Sequence, residues 1–348
     1  MDNRRAIHSF SPPISRRHGL YQENIAQLAP LKEDSHPFIS IILTSYTIER
    51  LYDIFELLTS ISTQTFHDFE TIFVVEGSNE LYNSLLRFSK NRGFKINLVL
   101  SDQKLGLSGA RNLGGKIARG EILAFVDDDA VLFPQWAEQV ANTFKDNTIV
   151  GVTGPAVPAW KNASLQWFPK EFYWLIGGTG WYQQKEISDV RNGWGMNMAF
   201  RRQAFVECQG FDTNFGLRNC SRSNWSDPPS EDVDLSLRVK KATGKRIVYN
   251  PKVQVFHKVN ETKVNTLFIM QRAFSVGYQR RAIKKLYAEA LNKQDMFTFE
   301  RRLISSIFIK LFPSIALGFF DAPRTAFKKA AVTFIVLTFV GLGYLSET

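Results

Sequence analysis

The first half of the chain alternates short apolar runs with amphipathic ones. "FISIILTSY" (38–46) is almost unbroken in its hydrophobicity, the pattern of a strand buried on both faces. "ERLYDIFELLTSIST" (49–63) spaces its apolar residues three and four apart, which predicts a helix. "FETIFVVEGS" (69–78) is a second strand running into a turn, "ELYNSLLRFSKNRG" (80–93) a helix stopped by glycine, and "KINLVLSD" (95–102) a third strand. "SGARNLGGKIARG" (108–120) follows as a helix and "EILAFVDDDA" (121–130) as a fourth strand. Strands alternating with helices imply right-handed crossovers and an α/β fold with a mostly parallel sheet. Such sheets bind ligands beyond the carboxyl ends of their strands. Asp127, Asp128 and Asp129 fall at one of those ends.

The pattern then changes. Residues 158–183 are dense in aromatics, and "GWGMNMAFRRQAFVECQGFD" (193–212) follows. Residues 216–230 make an irregular polar loop, and 231–259 have the pattern of helix, turn and strand. Residues 1–37 are polar and aperiodic, with Pro12, Pro13 and Pro37, and are expected to form a flexible tail.

With 348 residues, 44% of them hydrophobic, the chain has ample material for a core and is not wholly disordered. Cys208 and Cys220 stand outside any C-x-x-C pattern, which argues against a zinc cluster or a disulfide framework and makes a reducing compartment the expectation. No apolar stretch opens the chain, so no cleaved secretory signal is expected.

The net charge of +10 is concentrated between 240 and 329, where 19 Lys and Arg face 5 Asp and Glu. A basic region of this kind suits nucleic acid or an anionic membrane surface. The uncharged stretch "AAVTFIVLTFVGLGYLS" (330–346) beside it favours the membrane. As a helix it is roughly 25 Å long, close to the roughly 30 Å of a bilayer core. A spanning segment is therefore expected at about 327–346, with Lys328 and Lys329 snorkelling. "LISSIFIKLFPSIALGFF" (303–320), interrupted by Lys310 and Pro313, is expected to lie in the interface or to span. Lysines precede the last segment and only Glu347 follows it, so a single span leaves the rest of the chain on the cytoplasmic side of the cell membrane.

Asp127 and Asp129, two residues apart at a strand end, would face one side and suit a hard divalent cation, Mg²⁺ or Mn²⁺, whose shell substrate phosphates complete. An acidic turn or helix cap accounts for them equally. "GLSGARN" (106–112) offers Ser108 and Arg111 at a helix start, a place for an anion or simply an N-cap. In "SEDVDLSLRV", Glu231 and Asp232 open a helix after the polar loop. A carboxylate there can take a proton from an alcohol, or can complete a capping box with Ser230. His257 ends a strand in "VQVFHKV" and is either structural or a further metal ligand.

Taken in order, these stretches resemble a family-two glycosyltransferase of the GT-A fold. "ISIILTSYTIERLYDIFELLTSISTQTFHDFETIFVVEGS" is similar to the family's opening, "GLSGARNLGGKIARGEILAFVDDDA" to its donor loop and D-x-D motif, and "GMNMAFRRQAF" with "GFDTNFG" to its acceptor side. "EDVDLSLRVKKATGKRIVYNP" is similar to its catalytic element. The resemblance covers about 38–260. It implies a catalytic domain over 38–262, with a donor half (38–150) and an acceptor half (151–262), ahead of a basic helical region at 263–348. It implies a Rossmann-like fold that binds a nucleotide-diphospho-sugar, with Thr44, Tyr46 and Glu76 at the nucleoside, and Ser108 and Arg111 near the diphosphate. Asp127 would serve ribose and metal, Asp129 the metal, and His257 a third ligand position. Asp232, beside Glu231, would be the general base of an inverting transfer, with Gly195, Met196 and Asn197 on the acceptor side. Trp225 belongs to a loop that would close over the donor. The family's Asp-Asp-Gly-Ser turn is Val75-Glu76-Gly77-Ser78 here, with one acid missing and the other longer by a methylene.

"WFPKEFYWLIGGTGWY" and "VRNGWGMNMAFRR" resemble, more narrowly, archaeal enzymes that extend glycans on dolichyl phosphate, glucuronosyltransferases among them. The implied partners are a nucleotide-diphospho-sugar, a lipid-linked saccharide and a membrane, without nucleic acid. Trp167, Phe168, Phe172, Tyr173 and Trp174 would face acceptor or lipid, or pack as a subcore. Two other readings fit parts of the pattern. "FVDDDAV" also suits a haloacid-dehalogenase-like phosphatase with Asp127 as nucleophile, and an inactive sugar-nucleotide-binding protein would keep the same pocket.

Overall fold

The computed structural model describes residues 36–180, 184–214, 231–287 and 298–346. Nearly all of the expected N-terminal tail, the loop 216–230, Trp225 and Cys220 lie outside the described residues.

The chain begins β1 (Ile39–Ser45), α1 (Leu51–Ser62), β2 (Phe69–Glu76), α2 (Asn79–Arg92), β3 (Asn97–Ser101), α3 (Gly106–Ile117) and β4 (Ile122–Val126). It continues through β5 (Ala130–Leu132), α4 (Trp136–Thr143), β6 (Ile149–Thr153) and β7 (Ala156–Trp160). A 3₁₀ segment (Lys170–Ile176), β8 (Ser188–Val190), β9 (Asn197–Arg201), α5 (Arg202–Glu207), α6 (Glu231–Thr243), β10 (Arg246–Tyr249) and β11 (Val255–Val259) follow. Beyond them come α7 (Thr266–Tyr287), α8 (Thr298–Ser306), a π-helical stretch (Ile307–Leu311), α9 (Phe312–Asp321) and α10 (Pro323–Leu345).

Among the described residues the main sheet has the order β3-β2-β1-β4-β9-β6-β10-β8. Its first four strands are parallel, β9 runs antiparallel between β4 and β6, and β10 is parallel to β6. The expected mixed, mostly parallel sheet is present. β1 and β4 are buried on both faces, as their unbroken apolar runs require, and α1 supplies Ile54, Leu57, Leu58 and Ile61 to the core above them.

The strand expected at 121–130 is shorter. β4 stops at Val126, and Asp127 to Asp129 form a turn closed by the Ala130 N–H donating to Asp127 O at 3.1 Å. The chain then joins a second sheet, of order β5-β11-β7. Asp127 and Asp129 still converge on one site with His257, while Arg50 pairs with Asp128 and also lies 3.4 Å from Asp129 Oδ2.

The C-terminal helices pack on this unit. Ile307, Leu311, Ile315, Val332 and Val336 bury one face of the hairpin against Ile269 and Ala273 of α7 and against the aromatic stretch, where Phe168 and Phe172 are fully buried. Those two aromatics thus belong to a subcore beneath the hairpin, while Trp167 and Trp174 are half-buried at its edge. The segments Phe299–Asp321 and Pro323–Leu345 are each 23 residues long, with mean hydropathies of 1.9 and 1.6, and are long and apolar enough to cross a membrane.

Candidate active site

The carboxyl ends of β1, β2 and β4 carry the polar residues of the site. Glu76, the last residue of β2, is buried and its Oε2 accepts N–H groups from Leu105 at 2.7 Å and Gly106 at 2.9 Å. Glu76 therefore caps α3, and its extra methylene gives it the reach to do so. Burial raises its carboxyl above the ordinary value, against the pull of those two N–H groups. Thr44 lies near the end of β1, Tyr46 is exposed just beyond it, and Ser108 is buried in the first turn of α3.

Arg111 projects from α3 into the middle of the site and is almost wholly buried. It donates to Glu231 Oε1 at 2.8 Å, to Asp127 Oδ1 at 2.9 Å and to the Gly195 carbonyl at 2.8 Å, with its guanidinium over the Phe211 ring. One side chain thus ties the turn after β4 to the start of α6 and to the 193–197 turn. Asp232, next to Glu231, accepts the Gly195 N–H at 3.0 Å on Oδ2. Burial raises both carboxyls above their ordinary values. The Asp232 charge adds to the rise at Glu231, while the Gly195 N–H and Arg111 oppose the rise at Asp232.

Asp127, Asp129 and His257 bring a ligand atom each to within 4.8 Å of one another. β11 places the imidazole, because His257 stands opposite Ala130 of β5 and the Lys258 N–H donates to Asp129 O at 3.0 Å. His257 Nε2 lies 2.9 Å from Asp129 Oδ1, and Lys263 Nζ donates to Asp129 Oδ2 at 2.9 Å. Burial pushes Asp129 upward, but His257, Lys263 and Arg50 outweigh it and hold the carboxyl well below its ordinary value. At Asp128, burial dominates and pushes the carboxyl up to about 6, against the attraction of Arg50.

The donor set fits a divalent cation. His257 Nδ1 is buried without a hydrogen-bond partner, Asp129 Oδ1 faces only the His257 imidazole, and two carboxylates with one imidazole form a set that can hold a divalent cation. Beside Asp129 opens a polar cavity of about 250 Å³, lined among others by Tyr46, Arg50, Lys161 and Lys258. A larger cavity, of about 710 Å³, lies at the opposite end of the strands around Arg119, Glu121 and Arg202, and contains none of these residues.

Gly195 sits at the centre of the network and Met196 packs half-buried against the core. Asn197 is framework instead of acceptor lining. It is fully buried, its Oδ1 accepts from Trp136 Nε1 at 2.9 Å and its Nδ2 donates to Val253 O at 2.8 Å. Sequence reasoning missed Arg50 and Lys263, which supply positive charge around Asp128 and Asp129 without belonging to any motif. It also missed Gly177, at φ +78°, where an added Cβ would stand 2.5 Å from His257 Cε1 and 2.8 Å from Nδ1. The 3₁₀ segment thus delivers bare backbone against the imidazole.

Residues 40–208 match the model of glycosyl transferase family 2. A glucosyl-dolichyl phosphate glucuronosyltransferase of Haloferax volcanii is 30% identical over 269 residues, covering 76% of this chain and 83% of that one. Among solved structures, a mannosyltransferase of Pyrobaculum calidifontis in complex with GDP-Man and Mn²⁺ superposes with a TM-score of 0.58 at 17% identity, over 89% of this chain and 86% of that one. GalNAc-T7 with UDP, GalNAc and Mn²⁺ gives 0.50 at 15% identity, over 78% and 54%. The phosphatase reading of the aspartates falls with these matches. The chain belongs to glycosyltransferase family 2 and is a glycosyltransferase with the GT-A fold.

Proposed function

We propose that the protein is an inverting, divalent-metal-dependent transferase that moves a sugar, hexose or glucuronate, from a nucleotide-diphospho-sugar to a saccharide carried on a polyprenyl or dolichyl phosphate. The observation that carries this reading is the single network in which Arg111 joins Asp127 of the metal cluster to Glu231, beside Asp232. It supports a reading in which the cation site and the base act side by side. The glucuronosyltransferase likeness supports the lipid-linked acceptor, and the two apolar C-terminal segments agree with it.

Asp127, Asp129 and His257 would hold Mn²⁺ or Mg²⁺, which supplies Lewis-acid stabilisation of the leaving diphosphate. Asp232 takes the proton of the acceptor hydroxyl as its oxygen bonds to the anomeric carbon and the bond from that carbon to the diphosphate breaks on the opposite face. The Gly195 N–H orients the Asp232 carboxylate for that transfer. Thr44, Tyr46, Glu76 and Ser108 frame the nucleoside end, and Arg111 steadies the acidic groups around the diphosphate. Catalysis takes place on the cytoplasmic side of the membrane.

The test is turnover. Membranes holding the protein are incubated with Mn²⁺ or Mg²⁺, a panel of UDP- and GDP-sugars, and dolichyl- or undecaprenyl-phosphate sugars, and both nucleotide release and lipid extension are measured. Metal-dependent extension abolished by Asp129→Ala and by Asp232→Asn is expected. Metal-dependent nucleotide binding without release from any donor would favour an inactive binding protein instead.

A further inference from the structure

The buried face of the C-terminal hairpin is fully used, but its other face is not. Phe308, Leu317, Phe320, Phe327, Phe334 and Leu345 all point outward, with Phe320 88% and Phe334 73% exposed. Six Lys and Arg and a single acid, Asp321, accompany this surface between 301 and 346. Arg301, Arg302, Lys310, Arg324 and Lys328 are exposed among it.

The packing of α10 says how such a surface can meet lipid. The helix is tied to the catalytic unit along its whole length. Near its start, Lys328 lies over the Trp167 ring, 5.5 Å from the centroid. In its second half the backbones of α7 and α10 touch. A Cβ at Gly277 would stand 2.1 Å from Val340 O, and one at Gly343 would stand 2.0 Å from Phe274 O. At its end, Arg281 of α7 donates to the carbonyls of Tyr344 and Leu345, each at 3.2 Å. The neighbouring Arg280 pairs at 2.8 Å with Glu300, which accepts from Arg191 of the catalytic unit at 3.2 Å. Both ends of α10 are thus anchored at the level of the catalytic unit. Crossing the bilayer would carry α7, with Arg272, Arg280, Arg281, Lys284 and Lys285, into the hydrocarbon alongside it.

We propose that the protein is monotopic. In this arrangement α8, α9 and α10 lie in the plane of the membrane, with the phenylalanine face sunk into the acyl boundary of one leaflet and the basic residues on anionic headgroups. This replaces the expected span at 327–346. It deepens the lipid-linked acceptor reading, and rests on that reading only for the identity of the acceptor.

The test is the sidedness of three single cysteines in a background with Cys208 and Cys220 changed to Ser. They are Lys145→Cys on the catalytic unit, Ala322→Cys in the hairpin turn and Ser346→Cys after α10. Sealed membrane vesicles with the catalytic unit outward are treated with an impermeant maleimide. All three are expected to label before permeabilisation. Ala322→Cys labelling only after a pore-forming peptide admits the reagent to the lumen, with the lipid left in place, would mean two crossings, and Ser346→Cys labelling only then would mean one. Either overturns the proposal. Flotation of the full chain with phosphatidylcholine vesicles, with and without phosphatidylglycerol, is the second arm. Binding is expected to require the anionic lipid, and to fall roughly tenfold or more in Phe320→Ser/Phe327→Ser/Phe334→Ser with unchanged circular dichroism. A chain that ignores vesicles and self-associates through these phenylalanines would assign the face to a second copy. Neither arm reads turnover, so failure here and failure of the transferase reading are separate results.

Discussion

Replacing Arg111 by methionine tests the network at its centre. The substitution keeps the aliphatic bulk and removes three charge-assisted bonds, of 2.8, 2.9 and 2.8 Å. The most consequential loss is at Glu231, whose side chain is only 11% exposed and would be left unpaired, whereas Asp127, at 32%, can turn to water. Removing one partner of a buried ion pair costs about 3–5 kcal/mol, a large share of a typical folding stability of about 5–15 kcal/mol. For a chain of this size that corresponds to a fall in Tm of roughly 4–7 °C. The double variant Arg111→Met/Glu231→Leu removes both charges and is expected to recover most of the loss, since an apolar pair of similar volume often matches a buried salt bridge. Thermal unfolding followed by tryptophan fluorescence measures all three proteins. A shift below about 2 °C in the single variant, or a double variant no more stable than the single, would refute the assignment of Arg111 as the site's structural tie.

Gly177→Ala is expected to weaken Mn²⁺ binding about 10- to 100-fold by titration calorimetry, because the new methyl group displaces the imidazole; unchanged affinity would show that the imidazole position does not govern the metal. Asp232→Asn is expected to lower kcat about 10²- to 10⁴-fold with Mn²⁺ affinity intact. Since burial raises Asp232, its basic form is lost as pH falls through a value above the ordinary carboxylate of about 3.9, so the acidic limb of kcat/KM should lie above that value; a limb at or below it contradicts the role of this carboxyl as base. Gly343→Ala, whose methyl would collide with the α7 backbone, should loosen α10 and expose it to limited proteolysis; resistance equal to the parent would mean that α7 and α10 have room to shift apart.

The donor half was legible because its periodicities are local. Each of β1, β2 and β4 is an apolar run, and β1, β2 and β3 lie side by side in the order in which the chain makes them. The second sheet was not, since β5 has three residues and gains its identity only by pairing with β11 more than a hundred residues later. The same distance hid Arg50 and Lys263, which have no motif and find Asp128 and Asp129 only in the folded chain. The aspartates themselves were identified by type and spacing, although the strand ends before them. Asn197 misled because a polar residue in an acceptor-like motif looks like a contact, while its partners, Trp136 and Val253, lie far off in the chain. The apolar tail announced lipid, but hydropathy contains no information about α7, whose packing fixes how the tail can lie.

The meeting of Gly177 with His257 has a thermodynamic consequence. The segment that ends in Gly177 rests on the hairpin through Phe172 and Ile176, so the imidazole and the lipid-facing helices share one rigid element. Vesicle contact that favours one placement of that element changes the affinity for the cation only as far as the cation distinguishes the two placements, and that coupling is reciprocal. A protein that holds Mn²⁺ more tightly on a vesicle than in solution must hold the vesicle more tightly, by the same factor, when Mn²⁺ is bound.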